Sequence, residues 1–172
     1  MKFAGTCYRA HDPRWSFAPL SGEGAAIHGG RLNPKGTPAL YLSLSIDGAV
    51  TEAGQGFAGK LEPLTICLYE VECDAIADLT SEAGRREHGC NTADLACAWA
   101  LDAFAGRVPP SWALAERLEA KGVNGILVRS FARHARPDMT NLVLWRWGTE
   151  PPCRVTVHDP SGRLPRDQLS WR

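Results

Sequence analysis

No apolar run in this sequence approaches the roughly 20 residues that a membrane span needs; the longest candidate, Leu95 to Phe104, is broken by Asp102. No export signal is expected either. The amino-terminal MKFAGTCYRAHDPRW passes from one Lys into Cys, Tyr, Arg, His and Asp before an apolar core of signal length develops. The expectation is a soluble, cytoplasmic protein. Excess charge of either sign is lacking too: 19 Lys and Arg balance 19 Asp and Glu. A protein that binds nucleic acid without specificity draws its affinity from many cationic contacts to phosphates, and this composition argues against one. The 6 cysteines contain no CxxC pair, and their spacings are wider than zinc motifs use, so no metal is expected. In the reducing compartment inferred here they are read as thiols rather than disulfides. Also missing are the phosphate-binding GxxxxGK[ST] loop, GxGxxG after a strand, HExxH and the GxSxG elbow, which removes the corresponding nucleotide-binding, zinc-protease and serine-hydrolase classes.

What is present fits one compact domain over residues 1–172, since a chain of this length with 44% hydrophobic residues buries enough surface to need no staple. Phe3 to Arg9 reads as a first strand. A Gly- and Pro-rich stretch follows from Ala10 to Gly36, and its Trp15, Phe17 and Ile27 point to an ordered loop lining a site. Thr37 to Ser43 reads as a strand, and Ser45 or Asp47 caps a short helix to about Phe57. Leu64 to Cys73 is a strand central in the sheet, and Asp78 to Gly89 is polar and turn-like. Helical spacing runs from Asn91 or Thr92 to Gly106; Pro109-Pro110 ends it, and Ser111 to Lys121 forms another helix closed by Gly122. Asn124 to Arg129, Asn141 to Trp147 and Arg154 to Val157 supply further strands. Strands and helices without strict βαβ alternation predict an α+β fold with a mixed, largely antiparallel sheet and flanking helices.

Chemistry concentrates in GGRLNPKGTPALYLSLSIDGAVTEAG, Gly29 to Gly54. Here Gly30 brings backbone close to whatever Arg31 contacts, Tyr41 sits on a strand, and Glu52 lies on the helix after it. A second segment, GVNGILVRSFARHARPDMTNLVLW from Gly122 to Trp145, puts Ser130 at a strand end beside Arg129 and Arg133. Read one at a time, Glu52 also suits a solvated helix face, Tyr41 a core position, Ser130 a cap, and the arginines surface charges. Among the histidines, His28 is expected near the cleft, whereas His11, His88, His134 and His158 are read as surface or loop groups. Trp99, Trp112 and Trp145 are assigned to the core.

Taken together these segments resemble the RES-domain family, named for an Arg, a Glu and a Ser. Its pattern of GGRWN, a later Gly, YxS and then Glu is matched by GGRLN at Gly29 to Asn33, Gly36, YLS at Tyr41 to Ser43, and Glu52. Its GxxGIxxPSxR-like segment, followed by Asn and an apolar strand, is matched by GVNGILVRSFAR and Asn141-Leu142-Val143, and its early YR by Tyr8-Arg9. Two positions depart: Leu32 stands where Trp is usual, and Arg129 where Pro is usual. The resemblance implies a fold similar to ADP-ribosyltransferases and the toxin of a toxin-antitoxin system. It further implies action on NAD⁺, by transfer of ADP-ribose to a protein target or by hydrolysis or phosphorolysis, and a helical Xre-like antitoxin that blocks the active site. Neither a membrane nor a direct nucleic-acid partner is implied.

The residue types suit that chemistry. Cleavage of the nicotinamide-ribose bond passes through an oxocarbenium-like centre, and nicotinamide departs as a neutral molecule. No general acid is needed, so a single carboxylate, Glu52, can stabilise the developing cation. Arg31 and Arg9 offer planar forks for the pyrophosphate. Tyr41 suits stacking on the nicotinamide ring, and Ser130 hydrogen-bonds nearby. The competing reading is a nucleic-acid-binding or regulatory module whose basic patch is Arg129, Arg133 and Arg136; the absence of interleaved aromatics weighs against it.

Overall fold

A computed structural model describes residues 1–54 and 62–171. Its centre is a seven-stranded sheet in the order β4-β5-β6-β2-β1-β3-β7. The strands are β1 (Phe3–His11), β2 (Leu40–Ser43), β3 (Thr65–Cys73), β4 (Ile76–Asp78), β5 (Gly125–Arg129), β6 (Thr140–Leu144) and β7 (Cys153–Val157). All neighbouring pairs run antiparallel except β4 and β5. This is the α+β class with the mixed, largely antiparallel sheet that the element pattern predicts.

Both faces of the sheet are covered, so the inner strands are apolar on both sides. One face buries Leu40, Leu42, Tyr69, Val71, Leu142 and Leu144, closed by Leu20, Trp147 and Leu164 from irregular segments. The other buries Ile126, Val128 and Val143 against Leu32 and against two helices. Those helices are α4 (Thr92–Ala96) and α6 (Pro110–Ala120), which contribute Leu95, Leu114 and Leu118. Helix α2 (Ile46–Ala53), capped by Ser45 Oγ accepting from the Gly48 amide, packs across β1 and β2.

Several expectations are corrected. The stretch from Ala10 to Gly36 is not one loop: β1 continues to His11, a 3₁₀ turn occupies Pro13–Trp15, and α1 spans Glu23–His28. The region read as turn-like holds β4 and α3 (Glu82–Glu87). Asp78 Oδ1 accepts from the Thr80 amide and hydroxyl, and Ser81 caps α3, so polar residues here start structure rather than interrupt it. The helix expected from Asn91 to Gly106 is two, α4 and α5 (Trp99–Phe104), separated at Cys97 by an extended φ/ψ of −54°/155°. Positions 55–57, expected to finish the second helix, lie outside the described residues. Not every cysteine is a thiol: Cys73 and Cys153 stand directly opposite in the β3–β7 ladder and form a disulfide, while Cys7, Cys67, Cys90 and Cys97 are free. Sequence separation hid that pairing, which register creates.

The feature that makes a site is an opening in the sheet. β1 pairs with β3 from Phe3 to His11, yet its pairing with β2 is confined to Tyr8 opposite Ser43. Beyond that point the two strands diverge, and their edges face a gap.

Candidate active site

Helix α1 ends at Gly29, whose φ of +73° lies in the left-handed region that favours glycine. The chain then makes a tight reversal in which the Gly30 amide donates to Asn33 O at 2.9 Å. Asn33 is fully buried and holds the turn together. Its Nδ2 donates to the carbonyls of Ala25, Pro34 and Thr37 at 2.9, 3.1 and 2.8 Å, and its Oδ1 accepts from the Tyr41 hydroxyl at 2.7 Å. That hydroxyl in turn accepts from the Leu32 amide at 3.1 Å. A side chain at Gly30 has no room, because a Cβ would lie 2.5 Å from Tyr41 Oη and 2.6 Å from Asn33 Oδ1. The three carbonyls of the turn are also held: Trp112 Nε1 donates to Gly30 O, Ser111 Oγ to Arg31 O, and Trp145 Nε1 to Leu32 O. Arg31 is thus carried on a turn whose backbone is fixed from α6 and from the end of β6.

Its guanidinium spans the break between α4 and α5. Nη1 donates to Leu95 O at 2.9 Å and Cys97 O at 2.8 Å, and the cation lies 5.0 Å from the Phe131 ring centroid. These bonds account for the interrupted helix, since carbonyls released by ending α4 find a cationic donor. Burial lowers the Arg31 pKa, and attraction to Glu52 opposes that; an arginine remains charged throughout.

Glu52 lies in the last turn of α2. Its Oε1 accepts from Ser130 Oγ at 2.5 Å and from Asn141 Nδ2 at 2.6 Å. Asn141 Oδ1 accepts from Ser43 Oγ at 2.8 Å, and these two residues face one another in the β2–β6 register. Ser130 Oγ also accepts from the Ala132 amide at 3.1 Å, which orients its proton toward the carboxylate. Side chains from β2, β6 and the end of β5 therefore fix one carboxylate oxygen.

Arg9 approaches from the opposite face of β1, on the same side as Cys7 and His11 by strand alternation. Its Nη1 donates to Ser21 O at 2.9 Å and Pro19 O at 3.4 Å, and burial lowers its pKa. Arg9, Gly30, Arg31, Tyr41 and Glu52 all line one cavity of about 390 Å³ at the β1–β2 gap. Ser130 contacts it through Glu52. Tyr41 offers the cavity its ring alone, because its hydroxyl is spent on Asn33 and Leu32; burial raises the phenol pKa and keeps it protonated.

Some assignments change. His28 is exposed and does not line the cavity. His11 is buried rather than superficial, and Trp99, expected in the core, is half-buried and lines the cavity. The structure adds Asn33, Ser43, Phe131 and Asn141 to the site. Asn33, Ser43 and Asn141 carry a sequence signal, since they fill fixed positions of the matched pattern, whereas Phe131 falls at a position that the pattern leaves open. In the basic patch, Arg136 is paired with Asp47 at 2.6 Å and with Asp138 at 3.2 Å, which offsets its charge. Arg129 is exposed at the cavity rim.

Comparison with known proteins gives two matches in kind. A model of the RES domain matches residues 6–167. The structure is similar to a chain in the crystal structure of the M. tuberculosis MbcT-MbcA toxin-antitoxin complex, with a TM-score of 0.62 and 24% identity, covering 92% of this chain and 84% of that chain. At that identity the likeness speaks to the fold. No curated protein matches the sequence.

Proposed function

The chain belongs to the RES-domain family, and from that premise we propose that it is the toxin of a toxin-antitoxin pair, a cytoplasmic enzyme that binds NAD⁺ and breaks its nicotinamide-ribose bond. The observation that carries this reading is the placement of Glu52, held through Oε1 by Ser130 and Asn141, in one cavity with Arg9 and Arg31. A carboxylate pinned by neutral donors keeps a fixed direction, which electrostatic stabilisation of a developing cation requires. As the bond from the ribose anomeric carbon to the pyridinium nitrogen breaks, its electron pair goes to that nitrogen and nicotinamide leaves neutral. Glu52 faces the cation that remains. Arg9 and Arg31 each keep donors beyond the Nη1 committed to backbone carbonyls, and these suit the two negative charges of a pyrophosphate. The Tyr41 ring supplies an apolar face for the nicotinamide. Completion by a protein side chain gives ADP-ribosyl transfer; completion by water or phosphate consumes NAD⁺.

The test is Glu52→Gln. Release of free nicotinamide is expected to fall by about 100-fold or more, while NAD⁺ affinity measured by titration stays close to that of the unmodified protein. Normal turnover would remove Glu52 from the mechanism. Running labelled NAD⁺ with and without cell lysate, and reading nicotinamide and labelled protein bands separately, distinguishes transfer from consumption.

A further inference from the structure

Behind the cavity, on the far face of β1, lies a buried polar group that the proposed chemistry does not use. Tyr69 is fully buried, and His11 is 6% exposed. They belong to β3 and β1, and His11 Nε2 lies 2.6 Å from Tyr69 Oη. The phenol has one proton, and it goes to Pro19 O at 2.9 Å, a carbonyl that can only accept. With that proton on Pro19 O, the Tyr69 oxygen is left to accept: His11 fills it in the tautomer that carries its proton on Nε2, and Arg9 also lies close enough to be drawn to it. Burial, reinforced by the nearby Arg9 cation, pushes His11 down to about 4, and burial raises the Tyr69 pKa. Both groups are therefore neutral at physiological pH.

The carbonyl that Tyr69 holds is the one that Arg9 touches at 3.4 Å. Residues 19–21 form a strap with all three carbonyls turned inward: Tyr69 and Arg9 take Pro19 O, Trp147 Nε1 takes Leu20 O at 2.9 Å, and Arg9 takes Ser21 O. Tyr69 supplies the shorter bond to Pro19 O, which leaves Arg9 anchored chiefly at Ser21. Without that hydroxyl, the half-buried Pro19 carbonyl would draw the guanidinium toward itself, because an under-satisfied acceptor is costly and a cationic donor is the nearest remedy. Apart from Arg9 and His11, the neighbours of Tyr69 in the core are apolar side chains and cysteines, among which a Phe would pack without needing partners. A buried Tyr-His pair in that setting is best explained by what it orients.

We propose that Tyr69, oriented by His11, is a positioning residue that sets the Pro19–Ser21 strap and thereby aims Arg9 into the cavity toward the anionic pyrophosphate of the dinucleotide. This inference rests on the NAD⁺ reading given above. The experiment is steady-state release of nicotinamide by Tyr69→Phe, His11→Leu, His11→Gln, Arg9→Lys and the Tyr69→Phe/Arg9→Lys pair, with thermal unfolding recorded for each. Tyr69→Phe is expected to raise KM for NAD⁺ about 10-fold with kcat within about twofold, the signature of lost binding that is equal in ground and transition states. His11→Leu should act in the same direction, and His11→Gln, which keeps a donor to Tyr69, should restore KM. The pair should be no worse than Arg9→Lys alone, since both changes remove one contact. If Tyr69→Phe lowers the unfolding temperature with KM unchanged, or adds fully to Arg9→Lys, the positioning role is overturned. Should Tyr69→Phe fail to fold, His11→Leu with KM unchanged overturns it equally. Absence of nicotinamide release from the unmodified protein overturns the NAD⁺ reading and this inference with it; release with KM insensitive to Arg9→Lys overturns this inference alone.

Discussion

At the scale of single residues, the side chains named from the sequence meet around one carboxylate, and of the two that hold its Oε1 the sequence names Ser130 but not Asn141. Asn141 was visible as a letter in a pattern. Its function as a bridge, donating to Glu52 Oε1 and accepting from Ser43, depends on the β2–β6 register, a long-range fact that no local window contains. This bridge gives a prediction with a definite sign. Asn141→Asp would place a second carboxylate where a donor now sits 2.6 Å from Glu52 Oε1. Two carboxylates that close cannot both be ionised, so the pair takes up its first proton at a higher pH than an isolated carboxylate does. Arg31, which attracts Glu52, opposes this. On the proposed mechanism Glu52 acts as a carboxylate, so the variant is expected to lose activity as pH falls and the pair takes up that proton, and to recover it above. The acid limb of kcat/KM against pH is expected to move upward by about one unit or more. A limb that stays put would show that Asn141 does not hold the carboxylate. His11 illustrates the opposite failure of legibility: a lone histidine after a strand reads as superficial, and only the extension of β1 to His11 reveals that it alternates inward with Cys7 and Arg9.

Secondary elements were legible where periodicity is strong and illegible where side chains from elsewhere intervene. Strands β3 and β5 and helix α6 lie within a residue or so of their expected bounds, because apolar runs and the Pro and Gly stops are local signals. The break between α4 and α5 was missed because its cause is Arg31, more than 60 positions earlier in the chain. The same logic makes the Gly29–Asn33 turn the most demanding element of the site. Gly30→Ala forces a Cβ against Tyr41 Oη and Asn33 Oδ1, both of which are already bonded in place. Overpacking of this kind costs roughly 1–3 kcal/mol, and relief would shift the turn that carries Arg31. A lower unfolding temperature together with a loss of nicotinamide release is expected. Gly148→Ala, where a Cβ meets nothing within 4 Å, serves as the control and should change neither. Equal behaviour of the two variants would mean that the turn is not tightly constrained.

For the whole molecule, balanced formal charge conceals a local field. The 19 cations and 19 anions cancel in sum, yet Arg9 and Arg31 line the cavity and Arg129 stands at its rim, with Glu52 as the acidic side chain among them. Such a cavity attracts anions. A dinucleotide pyrophosphate is one candidate occupant, and an acidic segment of a neutralising protein is another. An enzyme that consumes NAD⁺ inside its own cell needs to be held inactive, and the most economical inhibitor is one that presents carboxylates to the arginines that would grip the pyrophosphate. The proposed antitoxin, a helical Xre-like protein, is therefore expected to insert an acidic or carboxylate-ended segment near Arg31 and Tyr41. Ligand and segment then compete, since a cavity of about 390 Å³ cannot hold both. Co-purification with the product of the neighbouring gene, followed by NAD⁺ titration of the complex, should show binding weakened or abolished. Neutralising the segment's acidic residues should restore it. Because the contacts are charge-assisted and partly exposed at the rim, raising the salt concentration should speed release of the segment. A complex that binds and cleaves NAD⁺ at the free enzyme's rate would rule out blockade of this cavity.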